Sequence, residues 1–418
     1  MPGVSPIEPR LRQCVILVGG MGTRLGALTA TTPKPVLNVG DRPFLAWLLR
    51  ELSRYGFAEA LLLTGHLSDT LRDRVARLAK DLPRPMRIAF SEEPLRAGTG
   101  GALFHAAAQL DERFLLCNGD SLLDCNLAPL LANAAADDAN VVGRILLRRL
   151  PDVSRYGVVD TIGDVVTGFY DRPPEPALAA VPGDINGGIY VFRRSLLAEL
   201  SSVCSLERDV MPKLAAGGQL RAQRGAGYFI DIGIPADLER AQIELPALLH
   251  RPALFLDRDG VVNVDHGYVG SRERFEFTPT ALAAISRATD SGWHVFIVTN
   301  QSGIARGLYD ELAMHALHNW VQGQALAAGG TIDDIRHCPY HPEGTVAAYS
   351  RASDWRKPAP GMLLDLIRAW ELDPARCAMI GDQPTDLAAA AAAGVAGHLF
   401  TGGDLDAFVA PLLAGSCG

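Results

Sequence analysis

Two aspartates stand two residues apart near the middle of the chain, directly after a short apolar run over 252–256. They are Asp257 and Asp259, and Gly260 follows them. Carboxylates spaced in this way on a chain leaving a strand can face one small site, and glycine lets the backbone turn close to a ligand. One could attack a phosphate monoester while the other protonates the leaving oxygen, given a divalent cation to cancel charge repulsion. Alone, such a pair is more often a solvated loop.

Three later segments supply groups that would complete this chemistry. They contribute Thr299 and Asn300, then Arg356 and Lys357, and finally Asp382 and Asp386. A hydroxyl beside backbone N–H groups can hold a phosphate, a lysine can neutralise it, and an acidic pair suits Mg²⁺. Four motifs in this order resemble the haloacid-dehalogenase (HAD) phosphatase superfamily.

The resemblance implies a role for each group. Asp257 would be the nucleophile, Asp259 the general acid and base, and Thr299 and Lys357 the phosphate ligands. Mg²⁺ would bind Asp257, the backbone carbonyl of Asp259, and Asp382, while Asp386 would orient the site.

Two further stretches, 263–269 and 301–307, look like those of the D-glycero-D-manno-heptose-1,7-bisphosphate 7-phosphatases. Histidinol phosphatases share the core motifs but not the His-Gly-Tyr-Val sequence that begins at His266. The resemblance implies that Arg306 and Arg356 hold the far phosphate, for which guanidinium groups are well suited, and that His266 and Asn300 also bind substrate.

A zinc site that this subfamily usually carries is incomplete. Its ligand positions are occupied here by Cys338, Tyr340, Ser353 and Trp355. Cys338 with the adjacent His341 cannot complete a tetrahedral structural site. We therefore expect no zinc, and a loop held by packing of the two aromatic side chains instead.

Glycines and basic residues near the N-terminus form a second candidate phosphate site. After the apolar run 13–18 come Gly19, Gly20, Gly22, Thr23 and Arg24. Glycines let backbone N–H groups approach phosphate oxygens, and the arginine adds a cation. Lys34 stands between two prolines, which predict an extended, stiffened segment. Taken alone, Lys34 could equally be a solvated surface residue with no role in binding phosphate.

Other residues extend this second site. Gly98 and Thr99 lie in a glycine loop suited to a flat base, and Asn186 offers an amide to sugar hydroxyls. Asp120 and Asp231 each follow a strand, and two distant aspartates can share one Mg²⁺ that orients a triphosphate.

These motifs resemble the sugar-1-phosphate nucleotidyltransferases over residues 12–243. The resemblance implies that a sugar 1-phosphate attacks the α-phosphorus of an NTP and releases pyrophosphate. Arg24 and Lys34 would stabilise the transition state, Asp120 and Asp231 would hold Mg²⁺, and Gly98 and Thr99 would line the base. Arg172 replaces the lysine of the family's Glu-Lys-Pro motif.

The elements that position these residues alternate along the chain. Short apolar runs (60–64, 114–117, 294–299, 378–380) alternate with helical patterns such as 43–55, 310–328 and the alanine run before Gly394. This alternation predicts an α/β protein with parallel sheets covered by helices. The resemblances make each half Rossmann-like: a GT-A-like nucleotidyltransferase domain at 1–245, a linker at 246–252, and a HAD-like hydrolase domain at 253–418.

Composition limits the class of protein. The chain has 418 residues and a net charge of −8, which disfavours nonspecific binding to nucleic acid or anionic membranes. Seven scattered cysteines without a CxxC motif favour a reducing compartment. The chain shows neither a signal peptide nor an apolar stretch of bilayer-spanning length, so we expect a cytoplasmic protein.

The two expected activities can be consecutive. Removing the 7-phosphate of heptose 1,7-bisphosphate leaves heptose 1-phosphate, which is the substrate class of the first half. By analogy, the pairing suggests GTP as the nucleotide and a GDP-linked α-heptose for a surface glycan such as lipopolysaccharide. Two alternatives stay open: a hexose-1-phosphate nucleotidyltransferase fused to another metabolite phosphatase, and a non-catalytic binding protein with one decayed half.

Overall fold

The computed structural model describes residues 11–65, 67–94, 96–154, 156–171 and 182–414. The chain separates into two compact units, Met1–Leu249 and His250–Gly418. The last helix of the first unit runs over Pro235–Leu249, so it includes the start of the segment expected as a linker. Within the described ranges, no helix combines the length and apolarity that crossing a bilayer requires.

The first unit alternates strands and helices. Its strands are β1 (Gln13–Leu17), β2 (Asn38–Val39), β3 (Arg42–Pro43), β4 (Glu59–Thr64), β5 (Arg87–Glu92), β6 (Arg113–Asn118), β7 (Ser121–Leu123), β8 (Gly143–Leu150), β9 (Val158–Ile162), β10 (Val165–Tyr170), β11 (Gly183–Arg193), β12 (Leu220–Gly225) and β13 (Phe229–Asp231). Its α-helices are α1 (Phe44–Arg54), α2 (Ser68–Leu78), α3 (Gly98–His105), α4 (Ala128–Ala136), α5 (Met211–Ala216) and α6 (Pro235–Leu249).

A nine-stranded sheet organises the first unit, in the order β5-β4-β1-β6-β11-β8-β12-β10-β9. The strands β5, β4, β1 and β6 are parallel, as expected. The expectation of a wholly parallel sheet was wrong here, because β11 lies antiparallel to both β6 and β8, and β10 is antiparallel to β9 and β12. A short apolar run indicates a buried strand but carries no information on its direction.

Two clusters of buried apolar side chains hold the first unit together. Val15, Leu61 and Leu116 belong to a core cluster on one side. Trp47 of α1 and Leu245 of α6 belong to another cluster, in which both are fully buried. Burying a large apolar side chain contributes about 1.5–3 kcal/mol, so these clusters fix the strand ends that carry the site.

The second unit is a parallel sheet between helices. Its strands are β14 (Ala253–Leu256), β15 (His294–Asn300), β16 (Asp334–Cys338), β17 (Cys377–Gly381) and β18 (Ala396–Leu399). Its α-helices are α7 (Ala281–Asp290), α8 (Glu311–Ala327), α9 (Gly361–Trp370), α10 (Pro384–Ala392) and α11 (Leu405–Ala414). The order is β16-β15-β14-β17-β18 and every pairing is parallel, which confirms the expectation for this half.

Alternating side chains along β14 build the two sides of this core. Leu254 and Leu256 face one buried cluster, while Ala253 and Phe255 face another, as the two-residue period of a strand requires. The alanine run forms α10, and Gly394 follows its end with φ 75°. The carboxyl ends of β14, β15 and β17 therefore meet at one edge, where ligands bind in such sheets.

Candidate active sites

A buried lysine organises the carboxyl edge of the second sheet. The Asp257 N–H donates to the Ile380 carbonyl at 2.9 Å, which holds the aspartate where β14 ends. Lys357 Nζ lies 2.8 Å from Asp257 Oδ1 and 2.6 Å from Asp386 Oδ1, and it donates to the Val298 carbonyl at 2.9 Å. An ammonium group has three N–H donors, so this lysine is held on every side.

The charges at this lysine shift the pKa values of the groups around it. Burial acts to lower the pKa of Lys357, but the charges of Asp257 and Asp386 outweigh it and raise that pKa. Burial raises the pKa of Asp257 to about 7, with Lys357 opposing the shift and Asp386 adding to it. Lys357 therefore keeps its positive charge, whereas the surroundings of Asp257 favour an additional positive charge beside it.

The acidic cluster fits a divalent cation. Oxygens of Asp257, Asp382 and Asp386 all lie within 4.8 Å of one another, and Asp382 Oδ1 is buried without a hydrogen-bond partner among the described residues. A Cβ at Gly260, where φ is 86°, would lie 2.4 Å from Asp382 Oδ2. Such an oxygen cluster suits Mg²⁺. Asp386 instead accepts from the Gln383 N–H at the start of α10, which orients it towards Lys357.

Asp259 is held by donors that the sequence analysis did not identify. Arg258 Nη2 lies 3.0 Å from both carboxylate oxygens, and Gln301 Nε2 lies 2.7 Å from one of them. Gln301 also donates to Thr299 Oγ1 at 2.8 Å and accepts from Tyr309. Thr299 is therefore joined to Asp259 through one amide. Arg258 stands between the two aspartates in sequence, but nothing in the pattern indicated that it is fully buried.

Asn300 positions Lys357. Its Nδ2 donates to the Lys357 carbonyl at 3.1 Å, and its Oδ1 accepts from the Lys357 N–H at 3.1 Å. Both polar groups of the side chain are therefore used within the protein. This arrangement differs from the substrate contact that the sequence analysis assigned to it.

Arg306 and Arg356 lie within electrostatic range of each other. Burial lowers the pKa of Arg356, and the charge of Arg306 lowers it further. Arg306 lies 5.9 Å from the Tyr268 ring, and no ion pair with a carboxylate involves either arginine in the described ranges. Two guanidinium groups of this kind, without acidic partners among the described residues, suit an anion. His266 instead faces Glu276, with its Nε2 3.0 Å from the carboxylate, and is about half exposed.

The segment that holds the incomplete zinc-ligand positions packs through its two aromatic side chains, as expected. Tyr340 and Trp355 both lie against the core cluster of Phe255 and Phe296. Cys338 Sγ lies 3.9 Å from the Tyr340 carbonyl oxygen. Aromatic packing therefore holds this segment on the sheet.

In the first unit, the glycine loop after β1 combines an open part with a constrained part. Gly19 and Gly20 line a cavity. Gly22 has φ 62°, and a Cβ there would lie 2.8 Å from Thr29 Cγ2. Thr23 begins a 3₁₀ turn, Thr23–Thr29, that carries Arg24. Gly22, Thr23 and Arg24 shape this loop rather than lining the cavity.

Lys34 lies between the two aspartates of the candidate metal site. Its Nζ is 2.6 Å from Asp120 Oδ2 and 3.6 Å from Asp231 Oδ1. The strands β7 and β13 pair antiparallel, and the Ile232 N–H donates to the Asp120 carbonyl at 3.0 Å, which brings the aspartates together. The extended segment expected at Lys34 was wrong: Lys34–Val36 is a 3₁₀ turn, because a proline φ also fits a first helical turn.

The electrostatics here also fit a divalent cation. Burial raises the pKa of Asp231, the charge of Asp120 raises it further, and Lys34 and Arg24 oppose the shift. A Cβ at Gly233 would lie 3.3 Å from Arg24 Nη2 and 3.1 Å from Lys34 Nζ, so both cations approach this glycine. A carboxylate whose pKa is raised by burial and by a neighbouring carboxylate is a ready ligand for Mg²⁺.

A cavity of about 690 Å³ extends from Lys34 and Asp120 to the second glycine segment. It is lined by, among others, Gly19, Gly20, Glu93, Gly98, Thr99, Asn118 and Glu207. The glycine loop expected at Gly98 is instead the first turn of α3, where Gly98 has φ 77°. Thr99 Oγ1 donates to Glu207 Oε2 at 2.6 Å and accepts from the Leu206 N–H at 2.9 Å.

The sequence analysis did not identify two glutamates that line the cavity, and it assigned to this site an asparagine that lies elsewhere. Glu93 follows a strand end, a signal that could have identified it, whereas Glu207 lies in a π-helical turn that the sequence does not indicate. Asn186 uses its amide within β11, donating to the Tyr190 hydroxyl and accepting from the Gly188 N–H, and it is absent from the lining. Arg172 lies outside the described residues.

Comparisons with known proteins match both units. The nucleotidyl transferase family model matches residues 13–247, and a HAD-hydrolase-like model matches residues 354–407. The chain is 50% identical over 163 residues to a D-glycero-beta-D-manno-heptose-1,7-bisphosphate 7-phosphatase from Rhodopseudomonas palustris, covering 39% of this chain and 91% of that protein. A protein with the same printed activity from Yersinia pestis is 43% identical over 144 residues, covering 34% and 77% of the two chains.

A solved structure is similar to part of this chain. The crystal structure of HddC from Yersinia pseudotuberculosis is 28% identical, with a TM-score of 0.49, covering 56% of this chain and all of that one. By its match to the family model and its curated relatives, this chain is a fusion enzyme that belongs to the nucleotidyl transferase family through its first unit and to the HAD-type heptose-1,7-bisphosphate 7-phosphatases through its second.

Proposed function

We propose that this chain carries out two consecutive steps in the synthesis of a nucleotide-activated heptose. The second unit would hydrolyse the 7-phosphate of D-glycero-D-manno-heptose 1,7-bisphosphate. The first would transfer a nucleotidyl group, GMP from GTP, to heptose 1-phosphate and release pyrophosphate. The observation that carries the proposal is the pairing of the two families in one chain, because the product of one reaction is the substrate class of the other.

In the phosphatase unit, Asp257 would attack phosphorus and form an aspartyl phosphate. Lys357, fixed 2.8 Å from the nucleophile, would balance the charge of the incoming phosphate. Asp259 would protonate the leaving oxygen and then take a proton from the water that hydrolyses the intermediate. Asp257, Asp382 and the Asp259 carbonyl would hold Mg²⁺, which would cancel repulsion between carboxylate and phosphate when bound.

The substrate's other phosphate needs a separate site in that unit. Arg306 and Arg356 provide two guanidinium groups, and a bound dianion would relieve the repulsion between them. Thr299, at the end of β15, would contact the transferred phosphoryl group. His266 would bind substrate only after leaving Glu276.

In the transferase unit, an oxygen of the sugar 1-phosphate would attack the α-phosphorus of the nucleotide. Lys34 and Arg24 would stabilise the developing charge, and Gly19 and Gly20 would hold phosphate oxygens with their backbone N–H groups. Asp120 and Asp231 would hold Mg²⁺, which would orient the triphosphate when bound. Gly98 and Thr99 would border the base. We place both reactions in the cytoplasm, where NTPs and sugar phosphates occur, with no nucleic-acid partner.

A substrate panel tests this proposal. The full chain is incubated with Mg²⁺ and the heptose and hexose bisphosphates, then with the matching 1-phosphates and each NTP, using both anomers. Phosphate and pyrophosphate are measured separately. We expect both to be released fastest with heptose substrates of one anomer, since removing the 7-phosphate leaves C1 unchanged. A clear preference for hexose substrates in either unit would overturn the heptose assignment.

A further inference from the structure

One tyrosine of the second unit has a strained backbone conformation that helix capping does not explain. Four non-glycine residues in the described ranges have φ between 51° and 63°. Three of them, Leu67, Thr280 and Glu371, cap helices. The fourth is Tyr268, with φ 52°, in the loop between β14 and α7, where Gly267 has φ 67°. A side chain in this conformation crowds the following carbonyl oxygen, so surrounding contacts must hold Tyr268 there.

Arg274 supplies such contacts to the backbone of this loop. Its Nη2 donates to the His266 and Gly267 carbonyls, both at 2.8 Å, and its Nη1 donates to the Tyr268 carbonyl at 3.2 Å. Three successive carbonyl oxygens therefore converge on one guanidinium group, whose planar fork of N–H donors suits such a set of acceptors. Arg274 belongs to the 3₁₀ turn Arg272–Arg274, so the chain that follows the loop folds back to hold it.

The other end of the loop is held beside the catalytic groups. Val269 is fully buried, and its carbonyl accepts from Arg258 Nη2 at 2.6 Å. The same nitrogen lies 3.0 Å from both carboxylate oxygens of Asp259. The backbone on both sides of Tyr268 is therefore fixed, whereas its side chain is 45% exposed and available to a ligand.

The Tyr268 side chain lies beside the two arginines of the candidate anion site. The Arg306 guanidinium carbon is 5.9 Å from the centre of the ring, and the phenol is within electrostatic range of Arg356. A phenol O–H can donate a hydrogen bond to the anion that two guanidinium groups attract. A different backbone conformation at Tyr268 would point the ring elsewhere, so this placement depends on the contacts that hold the loop.

We propose that Arg274 is a positioning residue for substrate selection, which fixes Tyr268 so that its phenol donates to the C1 phosphate of the bisphosphate. This inference rests on the proposed function, which places that phosphate at Arg306 and Arg356. It goes beyond that function because it assigns part of the preference for a bisphosphate to a residue that contacts no substrate. Asp257 acts on the transferred phosphoryl group of any monoester, and Arg274 makes no contact with it.

Two substrates that differ only at C1 isolate the effect: heptose 1,7-bisphosphate and heptose 7-phosphate. We expect wild-type kcat/KM to be about 10-fold or more higher for the bisphosphate. In Arg274→Ala, KM for the bisphosphate should rise about 10-fold, as expected for loss of one hydrogen bond to a charged group, while its kcat stays nearly constant. Both constants for the 7-phosphate should be nearly unchanged, which also shows that the unit folds. Arg272→Ala, at an exposed arginine of the same turn, should keep the wild-type preference.

Tyr268→Phe removes only the hydroxyl group and completes a double-mutant cycle with Arg274→Ala. We expect KM for the bisphosphate to rise by a similar factor in each single variant and no further in the double variant, since both changes remove the same contact. Additive losses would overturn the inference, because Arg274 would then act through something other than this phenol. An unchanged KM in Arg274→Ala, or an equal loss on both substrates, would also overturn it.

The wild type alone separates failure of this inference from failure of the proposed function. If it hydrolyses the bisphosphate no better than the 7-phosphate, the proposed recognition of the second phosphate falls, and the role of Arg274 falls with it. If the wild type prefers the bisphosphate and Arg274→Ala keeps that preference, only the role of Arg274 is wrong.

Discussion

Each unit holds a buried lysine against aspartates, but the two lysines differ in what surrounds them. Lys357 is 3% exposed, and three protein oxygens occupy its three donors. Lys34 is 6% exposed, has one close carboxylate and a second at 3.6 Å, and borders a cavity of about 690 Å³. The second unit therefore fixes its charges in advance, whereas the first leaves space beside them.

This difference follows from where the proposed nucleophile comes from. In the phosphatase unit it is Asp257, part of the protein, so the fold itself must fix its distance to the cation. In the transferase unit it is an oxygen of the substrate, so the protein provides charge and room for two ligands. We expect substitutions in the two sites to differ accordingly, and each to leave the other activity intact.

Asp257→Asn should have the largest effect. An amide does not form an acyl phosphate, so we expect phosphate release to fall by about 10⁴-fold or more, as removal of a catalytic nucleophile does elsewhere. Pyrophosphate release by the same preparation should be unchanged, which serves as the control for folding. Near-normal phosphate release would mean that another residue is the nucleophile.

Asp120→Ala should produce the converse result in the first unit. It removes the carboxylate 2.6 Å from Lys34 Nζ and one of two expected Mg²⁺ ligands, so we expect pyrophosphate release to fall by about 10²- to 10³-fold. Phosphate release should persist. Parallel loss of both activities would instead show that the substitution acts by destabilising the whole chain.

The sequence located most of the candidate catalytic groups of the second unit because they lie at strand ends, whereas Lys357 lies in the loop between β16 and α9. Asp257, Thr299 and Asp382 come directly after or at the end of apolar runs, and parallel strands bring such positions to one edge. The same rule applies to Asp120 in the first unit. For these four residues, position along the chain was therefore enough to predict that they lie at the carboxyl edges of their sheets.

What the sequence could not provide was the partner of each side chain. Asn300 binds the backbone of Lys357, and Glu207 binds Thr99, across separations of 57 and 108 residues. The antiparallel part of the first sheet was missed for a related reason, because strand direction depends on connections and not on composition. Glu93 and Glu92 are the clearest case: neighbouring acids whose carboxylates have different partners only once α2 and α3 are in place.

Asn300→Ala tests how far preorganisation of the second unit depends on one amide. It removes both hydrogen bonds to the Lys357 backbone, so the ammonium group should lose its fixed distance to Asp257. We expect kcat for phosphate release to fall by about 10- to 100-fold with KM nearly unchanged, since small misplacements of a catalytic group carry such costs. Asn300→Asp retains the acceptor and should recover part of the activity. A rise in KM at constant kcat would instead favour the substrate contact predicted from sequence.

The smallest effect concerns His337, a histidine of the second unit whose side chain is 12% exposed. His337 Nε2 is buried without a hydrogen-bond partner among the described residues, and its ring lies 5.6 Å from that of His318, whose Nε2 is 3.4 Å from Arg258 Nη1. Burial lowers the pKa of His337 to about 4, with the charges of His315 and Arg258 contributing. In the unfolded chain, histidine takes up a proton near pH 6.5, before the folded chain does.

Acid should therefore weaken the second unit partly through His337. As pH falls from about 6.5 towards 4, the unfolded chain binds the proton first, so stability present at neutral pH is progressively lost. His337→Asn should reduce the loss between pH 7 and pH 5 by on the order of 2 kcal/mol, measured as the change in unfolding free energy by denaturant titration. His266→Asn, at an exposed site, serves as the control and should retain the wild-type slope. If both variants lose stability with acid as steeply as the wild type does, the preorganised core around Arg258 owes its acid sensitivity to its carboxylates and not to this imidazole.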